Sequence, residues 1–490
     1  MPFGLAPLAP GFPPLPASPS LHAVPTTPVD RIGAYRLDCG ALPHRVLPDS
    51  LWPSRRTHPV GIHAFMFRGL LRLHSRYGLQ FCSPNRFYLL YDKIHREDIL
   101  RPAYGLAKAN GGAPGMDHQS FEGIEAAGRD VWLASLRKEL IEETYRPQPV
   151  RRVLIPKPGG GERPLGIPTI RDRVVQTAAK LLLEPIFEAD LEPNAYGYRP
   201  QRSAQDAVQK VHEYLCEGYT DVVDADLSKY FDTIPHVELM QCVARRIVDR
   251  RVLHLVKMWL ESPVAERNEK GIWNYTGSSG KGTPQGGVAS PLLANLYMNR
   301  FLKYWRLQEK GKQYRAEIVA YADDFVILSR GHAEQAREWT QTVMSRIGLT
   351  LNEQKTSIRD GRMEDFDFLG YTFGPRWWWK NGRKYTAARP SLKSIKRLRQ
   401  SVHDLLRPSL CVPWEEVRDQ LNAKLVGWQN YFRYGTVAKA YQGVNLYVYD
   451  RVRHFLRRRH KATSSKGSTQ FPIAAVFGSL GVHRMRMVRR

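Results

Sequence analysis

The sequence predicts an α+β protein in which an antiparallel sheet carries a cluster of aspartates and a basic α-helical region follows. Two short apolar runs, residues 318–320 and 325–328, flank Asp323 and Asp324 and have the length of buried strands joined by a tight turn. Earlier in the chain, residues 223–227 alternate between apolar and acidic side chains, as a half-buried strand does. Residues 371–490 contain 25 Lys and Arg but only 5 Asp and Glu, and some of these cations recur at helical spacing.

The first 69 residues are predicted to be a proline-rich extension, disordered to about residue 60. Residues 1–29 contain nine prolines and no Lys, Arg, Asp or Glu. This composition neither packs a core nor spans a membrane, and it lacks the charged start and apolar stretch of a signal peptide. A misassigned start codon is the alternative, with Met66 as a candidate internal start.

A basic hairpin is the next predicted element. Residues 153–155 and 165–167 are short apolar strands on either side of three glycines, residues 159–161. Lys157 and Arg163 would therefore sit on a flexible hairpin, where Arg can grip a triphosphate by its planar fork and Lys as a point charge. The segment lacks the spacing of a Walker-type loop. The alternative is an ordinary hairpin of a basic protein.

Three carboxylates are the candidate metal ligands. Val223, Ala225 and Leu227 lie on one face of this strand, and Asp224 and Asp226 lie on the other. If this strand lies beside the hairpin, Asp226 converges on Asp323 and Asp324. Like charges held this close repel each other and need cations, and three carboxylates around two Mg²⁺ ions suit in-line phosphoryl transfer. A polar hairpin turn is the alternative for the adjacent pair.

Gln285 lies in a loop and is followed by two glycines, which let a backbone approach a ligand closely. Ser290 and Pro291 are predicted to be the N-cap and the first residue of a helix, followed by an apolar stripe that extends to Phe301. An amide that satisfies a local turn is the alternative to a ligand contact by Gln285.

The last quarter of the chain predicts a helical bundle with a basic RNA-binding surface. Interleaved aromatic residues include Trp377, Trp378, Trp428 and Phe432, and we expect Trp428 and Phe432 to pack in the core. Cations on a helical scaffold suit an RNA that is recognised by its shape and phosphates. The candidate RNA-binding residues are Lys393, Lys396, Arg397, Arg399, Arg451, Arg453, Arg457, Arg458 and Arg459.

The whole chain carries a formal charge of +26, which suits a nucleic-acid partner. Attachment to a membrane would need an amphipathic anchor or a long apolar span, and the sequence offers neither. The cysteines are scattered, which indicates a reducing cytoplasm and argues against a Cys-based zinc site or a disulfide framework. They are Cys39, Cys82, Cys216, Cys242 and Cys411.

These motifs, in this order, resemble the group II intron-encoded reverse transcriptases of bacterial type, which also act as maturases. The resemblance runs from about Phe87 to the C-terminus. Besides the two acidic segments, the motifs that carry the resemblance are AKANGGAPGMD at 107–117, IPKPGGGERPLGIP at 155–168, YGYRP at 196–200, GTPQGG at 282–287, GLTLN at 348–352, FLGY at 368–371 and GWQNYF at 427–432. The chain ends without the Cys pairs of an HNH endonuclease domain, so we expect a member that lacks one.

The resemblance implies the right-hand polymerase fold, with an antiparallel sheet that carries the catalytic aspartates. The fingers and an N-terminal extension block would occupy residues 70–208, after the extension of residues 1–69. The palm would occupy residues 209–375. An α-helical thumb or maturase domain with a short basic tail would occupy residues 376–490.

The resemblance also assigns roles to individual residues. It implies that Asp226, Asp323 and Asp324 are catalytic, and that these three and Leu227 bind two Mg²⁺ ions, for which Mn²⁺ can substitute. Contacts with the incoming nucleotide are implied for Lys157, Arg163, Phe231, Gln285 and Lys355.

Two of these residues have a plausible alternative. Phe231, five positions after the first catalytic aspartate, would pack under the sugar and exclude a 2′-hydroxyl, so the product would be DNA. The alternative is that Phe231 only packs the core. The resemblance implies that Lys355 is a proton donor to pyrophosphate, and the alternative is a solvated surface lysine. Asp224 is expected to be supportive, and Asp232 to cap a helix.

The implied function is that of an RNA-directed DNA polymerase that uses dNTPs, an RNA template and a DNA primer or target DNA. As a maturase the protein would bind its group II intron RNA to assist splicing and mobility, in a bacterial cytoplasm. One alternative is a domesticated relative in antiphage defence, CRISPR adaptation or DNA repair. A non-enzymatic RNA-binding splicing factor is the other, and the intact aspartates argue against it.

Overall fold

The computed structural model describes residues 86–156, 161–268, 270–378, 380–407, 412–461 and 470–487. All of them belong to one compact unit, His63–Arg490. The predictions for the proline-rich extension, Met66, Lys157 and three of the cysteines lie outside the described residues. Cys216 and Cys242, the cysteines within them, are free thiols.

Eleven strands form three sheets in the described part of the chain. In chain order they are β1 (Val150–Pro156), β2 (Glu162–Ile167), β3 (Asp221–Asp226), β4 (Val264–Arg267), β5 (Trp273–Thr276), β6 (Ala316–Tyr321), β7 (Asp324–Ser329), β8 (Ser357–Asp360), β9 (Phe366–Phe368), β10 (Tyr371–Trp377) and β11 (Lys384–Pro390).

Helices precede, separate and follow these strands. In chain order they are α1 (Tyr91–Ile94), α2 (Glu97–Asn110), α3 (Phe121–Ala127), α4 (Arg129–Ile141), α5 (Ile170–Glu188), α6 (Ala204–Cys216), α7 (Tyr230–Thr233), α8 (His236–Ala244), α9 (Arg250–Glu261), α10 (Ser290–Leu307), α11 (Lys310–Gln313), α12 (Ala333–Arg346), α13 (Leu392–Leu405), α14 (Trp414–Tyr431), α15 (Ala438–Arg459) and α16 (Ile473–Phe477).

The central sheet has the strand order β6-β7-β3-β8, and every neighbouring pair is antiparallel. On one face Val223 and Ala225 join the largest apolar core, which also contains Phe301 of α10. On the other face Val222 packs in a second core with residues of α6. The predicted alternation in β3 is therefore confirmed, because Asp224 and Asp226 are only half-buried while their neighbours are buried.

The basic hairpin is also confirmed as a pair of antiparallel strands. β1 pairs with β2 in a register that sets Ile155 opposite Arg163. The sheet continues through β4 and β5 in the order β2-β1-β4-β5. Helix α5 lies beside α2 and is buried over most of its length, including polar residues such as Asp172 and Gln176.

The predicted start of α10 is wrong by one residue. The N-cap is Ala289, which makes no side-chain cap bond, whereas Ser290 is buried inside the helix. The turn before α10 is held by Gln176 of α5, whose Oε1 accepts the backbone N–H groups of Val288 at 2.9 Å and Ala289 at 3.2 Å. The distant side chain therefore supplies the acceptors that a local cap would otherwise provide. The apolar stripe that extends to Phe301 is buried as predicted.

The C-terminal helices α13, α14, α15 and α16 surround a third core that contains Val402, Leu421 and Val448. This arrangement confirms the α-helical character predicted for the end of the chain. Helices start only at Leu392, because β10 and β11 form an antiparallel hairpin first. The predicted domain boundary between residues 375 and 376 therefore falls inside β10, and the boundary between 208 and 209 falls inside α6.

The helical domain and the central sheet share the second core. The ring of Phe432 lies 5.0 Å from that of Tyr371 and 4.6 Å from that of Trp428, measured between ring centroids. Phe432 is buried and Trp428 is half-buried, so the expected core packing of both is confirmed. Within the described ranges, no helix has the length and the apolar character that crossing a bilayer requires.

Candidate active site

The three candidate catalytic aspartates meet at one end of the central sheet. Asp226 is the last residue of β3 and lies opposite Asp324, the first residue of β7, in the antiparallel register. Asp323 belongs to the two-residue turn between β6 and β7, next to Ala322, whose φ is 59°. The sheet thus brings together carboxylates from two distant parts of the sequence, as the alternation pattern required.

Burial and mutual repulsion both act on these carboxylates. Desolvation by the surrounding protein, followed by the charges of Asp323, Asp226 and Asp224, raises the pKa of Asp324 to about 7, although the residue is still exposed to solvent. Burial is also the main cause that raises the pKa of Asp323. It raises the pKa of Asp224, the supporting residue, to about 6. A site that resists the full ionisation of its own carboxylates favours a bound cation, which would stabilise the charged forms.

Lys355 lies against the first aspartate. Its Nζ donates a hydrogen bond to Oδ2 of Asp226 at 3.0 Å, although the lysine side chain is mostly exposed. The backbone N–H of Asn352 donates to the carbonyl oxygen of Asp226 at 2.8 Å, and Leu227 forms an isolated bridge with Leu351. Lys355 and Leu227 therefore both lie beside the acidic cluster. A role of Lys355 towards pyrophosphate stays a prediction.

Among the residues that the structure describes, no group of three or more His, Cys, Asp or Glu side chains is arranged as a metal-binding cluster. The chemistry of the donors still fits the predicted ions, because carboxylate oxygens are the ligands that Mg²⁺ prefers. The strand register sets Asp226 opposite Asp324, and Asp323 directly precedes Asp324, so the three carboxylates lie at the same end of the sheet.

Arg163 of β2 and Gln285 of the loop before α10 are joined by a hydrogen bond. Nε of Arg163 donates to Oε1 of Gln285 at 3.0 Å, and Nε2 of Gln285 lies 3.4 Å from both carboxylate oxygens of Asp232. The backbone N–H of Gly166 donates to the carbonyl oxygen of Gln285 at 2.5 Å. Gln285 thus bridges two distant segments, which does not match the alternative of a purely local turn. Asp232 is wrong as a helix cap, since it lies within α7 and accepts from Gln285.

A glycine makes this contact between the hairpin and the loop possible. Gly286 has a φ of 108°, and a Cβ at this position would collide with the carbonyl oxygen of Gly166. Only a residue without a side chain can occupy this backbone conformation at such close approach. The basic hairpin is therefore seated directly on the loop that carries Gln285.

Phe231 contacts the loop that carries Gln285. Its carbonyl oxygen accepts the backbone N–H of Thr283 at 2.6 Å, and its ring packs edge-on against Tyr230 at 5.7 Å between centroids. Phe231 is only 7% exposed and belongs to the largest core. The placement is compatible both with packing under a sugar and with core packing alone, so the sugar-excluding role stays a prediction.

Residues 194–198 support the turn that carries Asp323, a role that was not predicted from the sequence. The backbone N–H of Ala320 donates to the carbonyl oxygen of Asn194 at 2.9 Å, and that of Tyr196 donates back to Ala320 at 2.8 Å. A Cβ at Gly197 would collide with the backbone nitrogen of Ala322. The only sequence signal was a glycine inside the YGYRP motif, and a glycine alone does not say which backbone it approaches.

A buried amide holds this segment in place. Nδ2 of Asn295, on α10, donates to the carbonyl oxygen of Gly197 at 2.6 Å. Asn295 is 7% exposed, so its amide is fixed by the surrounding core. The turn that carries Asp323 is therefore supported from behind by a backbone segment that a helix side chain positions.

Comparison with known families agrees with this geometry. Residues 155–373 match the family "Reverse transcriptase (RNA-dependent DNA polymerase)" and residues 395–470 match "Group II intron, maturase-specific domain". The chain is 36% identical over 326 residues to Protein YkfC of Escherichia coli (strain K12), an alignment that covers 58% of this chain and 83% of that protein. The chain belongs to the group II intron reverse transcriptase and maturase family.

A second relative is Group II intron-encoded protein LtrA of Lactococcus lactis subsp. cremoris, 35% identical over 352 residues. The alignment covers 58% of this chain and 56% of LtrA, so the chain spans about half the length of that relative. Among solved structures, a telomerase from Candida albicans is similar with a TM-score of 0.38 and 12% identity. The match covers 70% of this chain and 67% of the telomerase chain.

The acidic cluster lies in the reverse transcriptase domain. The reverse transcriptase domain contains all three aspartates together with Arg163, Phe231, Gln285 and Lys355. Reverse transcriptases act as RNA-directed DNA polymerases and generally use divalent metal ions. The maturase-specific domain covers most of α13, all of α14 and all of α15.

The structure separates the predicted RNA-binding residues into two helices of the maturase-specific region. Lys393, Lys396, Arg397 and Arg399 are all exposed on α13, and Arg399 lies over the ring of Tyr447 of α15 at 5.2 Å. The second set lies on α15, where only two members are well exposed. Arg458 and Arg459 are exposed, and Arg451, Arg453 and Arg457 are half-buried. Their contacts with RNA stay predictions.

Proposed function

We propose that the chain is the RNA-directed DNA polymerase of a group II intron, acting in a bacterial cytoplasm. It would extend the 3′ end of a DNA primer or target DNA with dNTPs on an RNA template, and bind its intron RNA to assist splicing and mobility. The observation that carries the proposal is the register that sets Asp226 opposite Asp324, in a chain with both a reverse transcriptase and a maturase-specific domain.

Asp226, Asp323 and Asp324 would hold two Mg²⁺ ions, with the carbonyl oxygen of Leu227 as a main-chain donor. When bound, such ions neutralise charge on the attacking and leaving oxygens of an in-line phosphoryl transfer. The sheet fixes two of the carboxylates on adjacent strands, so little reorganisation is needed to present them. The turn that carries Asp323 is supported by the hydrogen bond from Asn295 to Gly197, so the third carboxylate is also held in position.

The opposite wall of the cleft would hold the nucleotide. Gln285 accepts from Nε of Arg163 and so orients the guanidinium while its terminal nitrogens remain able to contact phosphate oxygens. Asp232 in turn fixes the amide of Gln285. Lys157 would add a second cation to this wall, and Lys355 lies at the aspartates, where it can contact the departing pyrophosphate.

Primer extension tests the polymerase activity directly. A labelled DNA primer annealed to an RNA template should be extended by the purified protein with dNTPs and Mg²⁺, and extension with rNTPs should be much weaker. A folded, RNA-binding sample that extends no primer under any divalent metal would contradict the proposal.

Replacing Phe231 by Ala should weaken the selection of dNTPs over rNTPs by about 10- to 100-fold, because the ring that would meet the 2′-hydroxyl is removed. The measurement is the ratio of kcat/KM for a dNTP and the matching rNTP. Phe231→Tyr keeps the ring and should keep the selectivity. Phe366→Ala, at another buried phenylalanine, controls for lost stability. If Phe231→Ala lowers the melting temperature but leaves the ratio unchanged, Phe231 is a core residue only.

The maturase activity is tested by splicing. Addition of the protein should accelerate splicing of the cognate intron at low Mg²⁺ concentration, where the RNA alone folds poorly. The intron ribozyme is expected in the DNA that flanks the gene. Its absence there, together with no effect on splicing, would favour a domesticated polymerase.

The double substitution Lys396→Gln and Arg397→Gln should weaken binding to intron RNA and lower the slope of log K against log salt by about 1.4 to 1.8, because each lost phosphate contact contributes about 0.7 to 0.9. Binding is measured by filter retention at several salt concentrations. Lys138→Gln with Lys257→Gln removes two exposed lysines on α4 and α9 and serves as the control. An equal change of slope in both double variants would contradict a specific role for α13.

A further inference from the structure

The tip of the β10–β11 hairpin presents two tryptophans to solvent. Trp377 is 62% exposed and Trp378 is 50% exposed. Every other tryptophan in the described part of the chain is buried or half-buried. Large exposed aromatic faces are costly to leave in water, so an adjacent pair of them indicates a surface that receives a partner.

Cations surround the two indoles. Residues 371–390 contain no Asp or Glu. Nζ of Lys384 lies 6.0 Å from the centre of the Trp377 ring, and Arg383 and Lys384 are both exposed. This combination of flat apolar faces and positive charge favours a polyanion with aromatic groups over an apolar or acidic protein surface.

The hairpin holds the pair at a fixed position. β10 and β11 are paired from Tyr371 opposite Pro390 to Trp377 opposite Lys384. Beyond the strands, the backbone N–H of Trp378 donates to the carbonyl oxygen of Arg383 at 2.8 Å. At the base, the hydroxyl of Tyr371 donates to the carbonyl oxygen of Tyr431 at 2.9 Å. The paired strands therefore connect the tip to the shared core, and an ordered position of this kind reduces the entropic cost of binding.

We propose that Trp377 and Trp378 form a stacking surface for unpaired bases of an RNA strand, with Arg383 and Lys384 beside its phosphates. Bases within a duplex are stacked on each other and cannot lie on an indole face, so the occupant is single-stranded. The proposal rests on the proposed function only in taking RNA as the polymer that this protein binds. A template overhang and an unpaired intron loop present the same chemistry.

Binding assays without dNTPs test the surface in full-length protein that carries Asp323→Asn, so the result does not depend on polymerase activity. The double substitution Trp377→Ala and Trp378→Ala should weaken binding to a single-stranded RNA by about tenfold for each stacked base. Affinity for a blunt RNA duplex should stay unchanged. Trp377→Phe with Trp378→Phe should restore most of the lost affinity. Tyr275→Ala, at a 60% exposed aromatic residue of β5, is the matched control.

Photocrosslinking gives a second readout. RNA that carries 4-thiouridine should crosslink to the hairpin tip, and mass spectrometry should locate the adduct at residues 377–384. Primer–template duplexes with a labelled overhang and intron fragments with a labelled loop distinguish the two sources of the strand. Adducts from either one support the proposal.

Three results would overturn it. One is an unchanged affinity of the double Ala variant for single-stranded RNA, without adducts at the tip. Another is an equal loss for single-stranded and duplex RNA, which would show that the aromatic faces do not select unpaired bases. The third is a loss of self-association in the variant with RNA binding intact, which would make the tip a protein interface.

Discussion

Replacing Asp323 by Asn should lower the rate of DNA synthesis on a primed RNA template by about a thousandfold or more, with RNA affinity changed by about twofold at most. The amide has nearly the same shape as the carboxylate but loses the negative charge that the turn presents beside Asp226 and Asp324. Single-turnover primer extension measures the chemical step, and a gel-shift assay with the same RNA measures binding.

The control for this substitution lies in the same sheet. Asp221→Asn changes a carboxylate at the opposite end of β3, where Asp221 pairs with Ser329 and Oδ2 accepts the backbone N–H of Gly331. This variant should retain synthesis to within a few-fold. Wild-type activity of Asp323→Asn would remove Asp323 from the catalytic site. An equal loss in both variants would point to lost folding.

Replacing Gly197 by Ala should lower kcat by about 100-fold, because a methyl group there collides with the backbone of Ala322 and displaces the turn that carries Asp323. Gly197 is a positioning residue, so the KM for dNTPs should change much less than kcat. The measurement is steady-state primer extension over a range of dNTP concentrations, together with a melting curve of each variant.

Gly105→Ala is the matched control, since a Cβ there has no atom within 4 Å and α2 favours alanine over glycine. It should leave kcat unchanged and stabilise the protein slightly. Asn295→Ala should change kcat in the same direction as Gly197→Ala, because it removes the hydrogen bond that holds the segment. A Gly197→Ala protein with wild-type kcat would show that the turn does not need this support.

Short-range patterns predicted the strand face that carries Asp226 and the turn that carries Asp323, but not that the two segments pair. The period of two in residues 223–227 sets Asp224 and Asp226 on one face, and burying the other face fixes the register that brings Asp226 opposite Asp324. The hairpin of β1 and β2 followed in the same way from apolar runs around glycines. In each case the required information lies within about ten residues.

Contacts between distant segments were not predictable in this way. Ser290 has the composition of an N-cap, but Gln176, far away in the sequence, supplies the acceptor that holds the preceding turn. Gly197 and Asn295 meet behind the turn that carries Asp323, and their contact depends on the packing of α10 beside the sheet. The bridge from Arg163 through Gln285 likewise joins two segments whose sequences contain no signal of each other.

Aromatic residues at the C-terminal side show the same limit. Composition predicted that some of them form a core and others a surface, and Trp428 and Phe432 were correctly expected in the core. It did not distinguish Trp377 and Trp378 from them, because exposure depends on how far the β10–β11 hairpin extends beyond the core. Tertiary packing decides this, and periodicity does not.

Phe432 of the maturase-specific domain packs on Tyr371 in the second core, which also contains Val222 and Val326 of the central sheet. The reverse transcriptase domain and the maturase-specific domain should therefore unfold together. Cutting the chain after Pro390 would leave Tyr371 and its neighbours without their cover, so a truncated polymerase should be unstable as well as unable to grip RNA. A lineage that loses splicing but keeps DNA synthesis is therefore expected to change surface cations and to keep the helices. The helical domain would be retained because the polymerase needs it for stability.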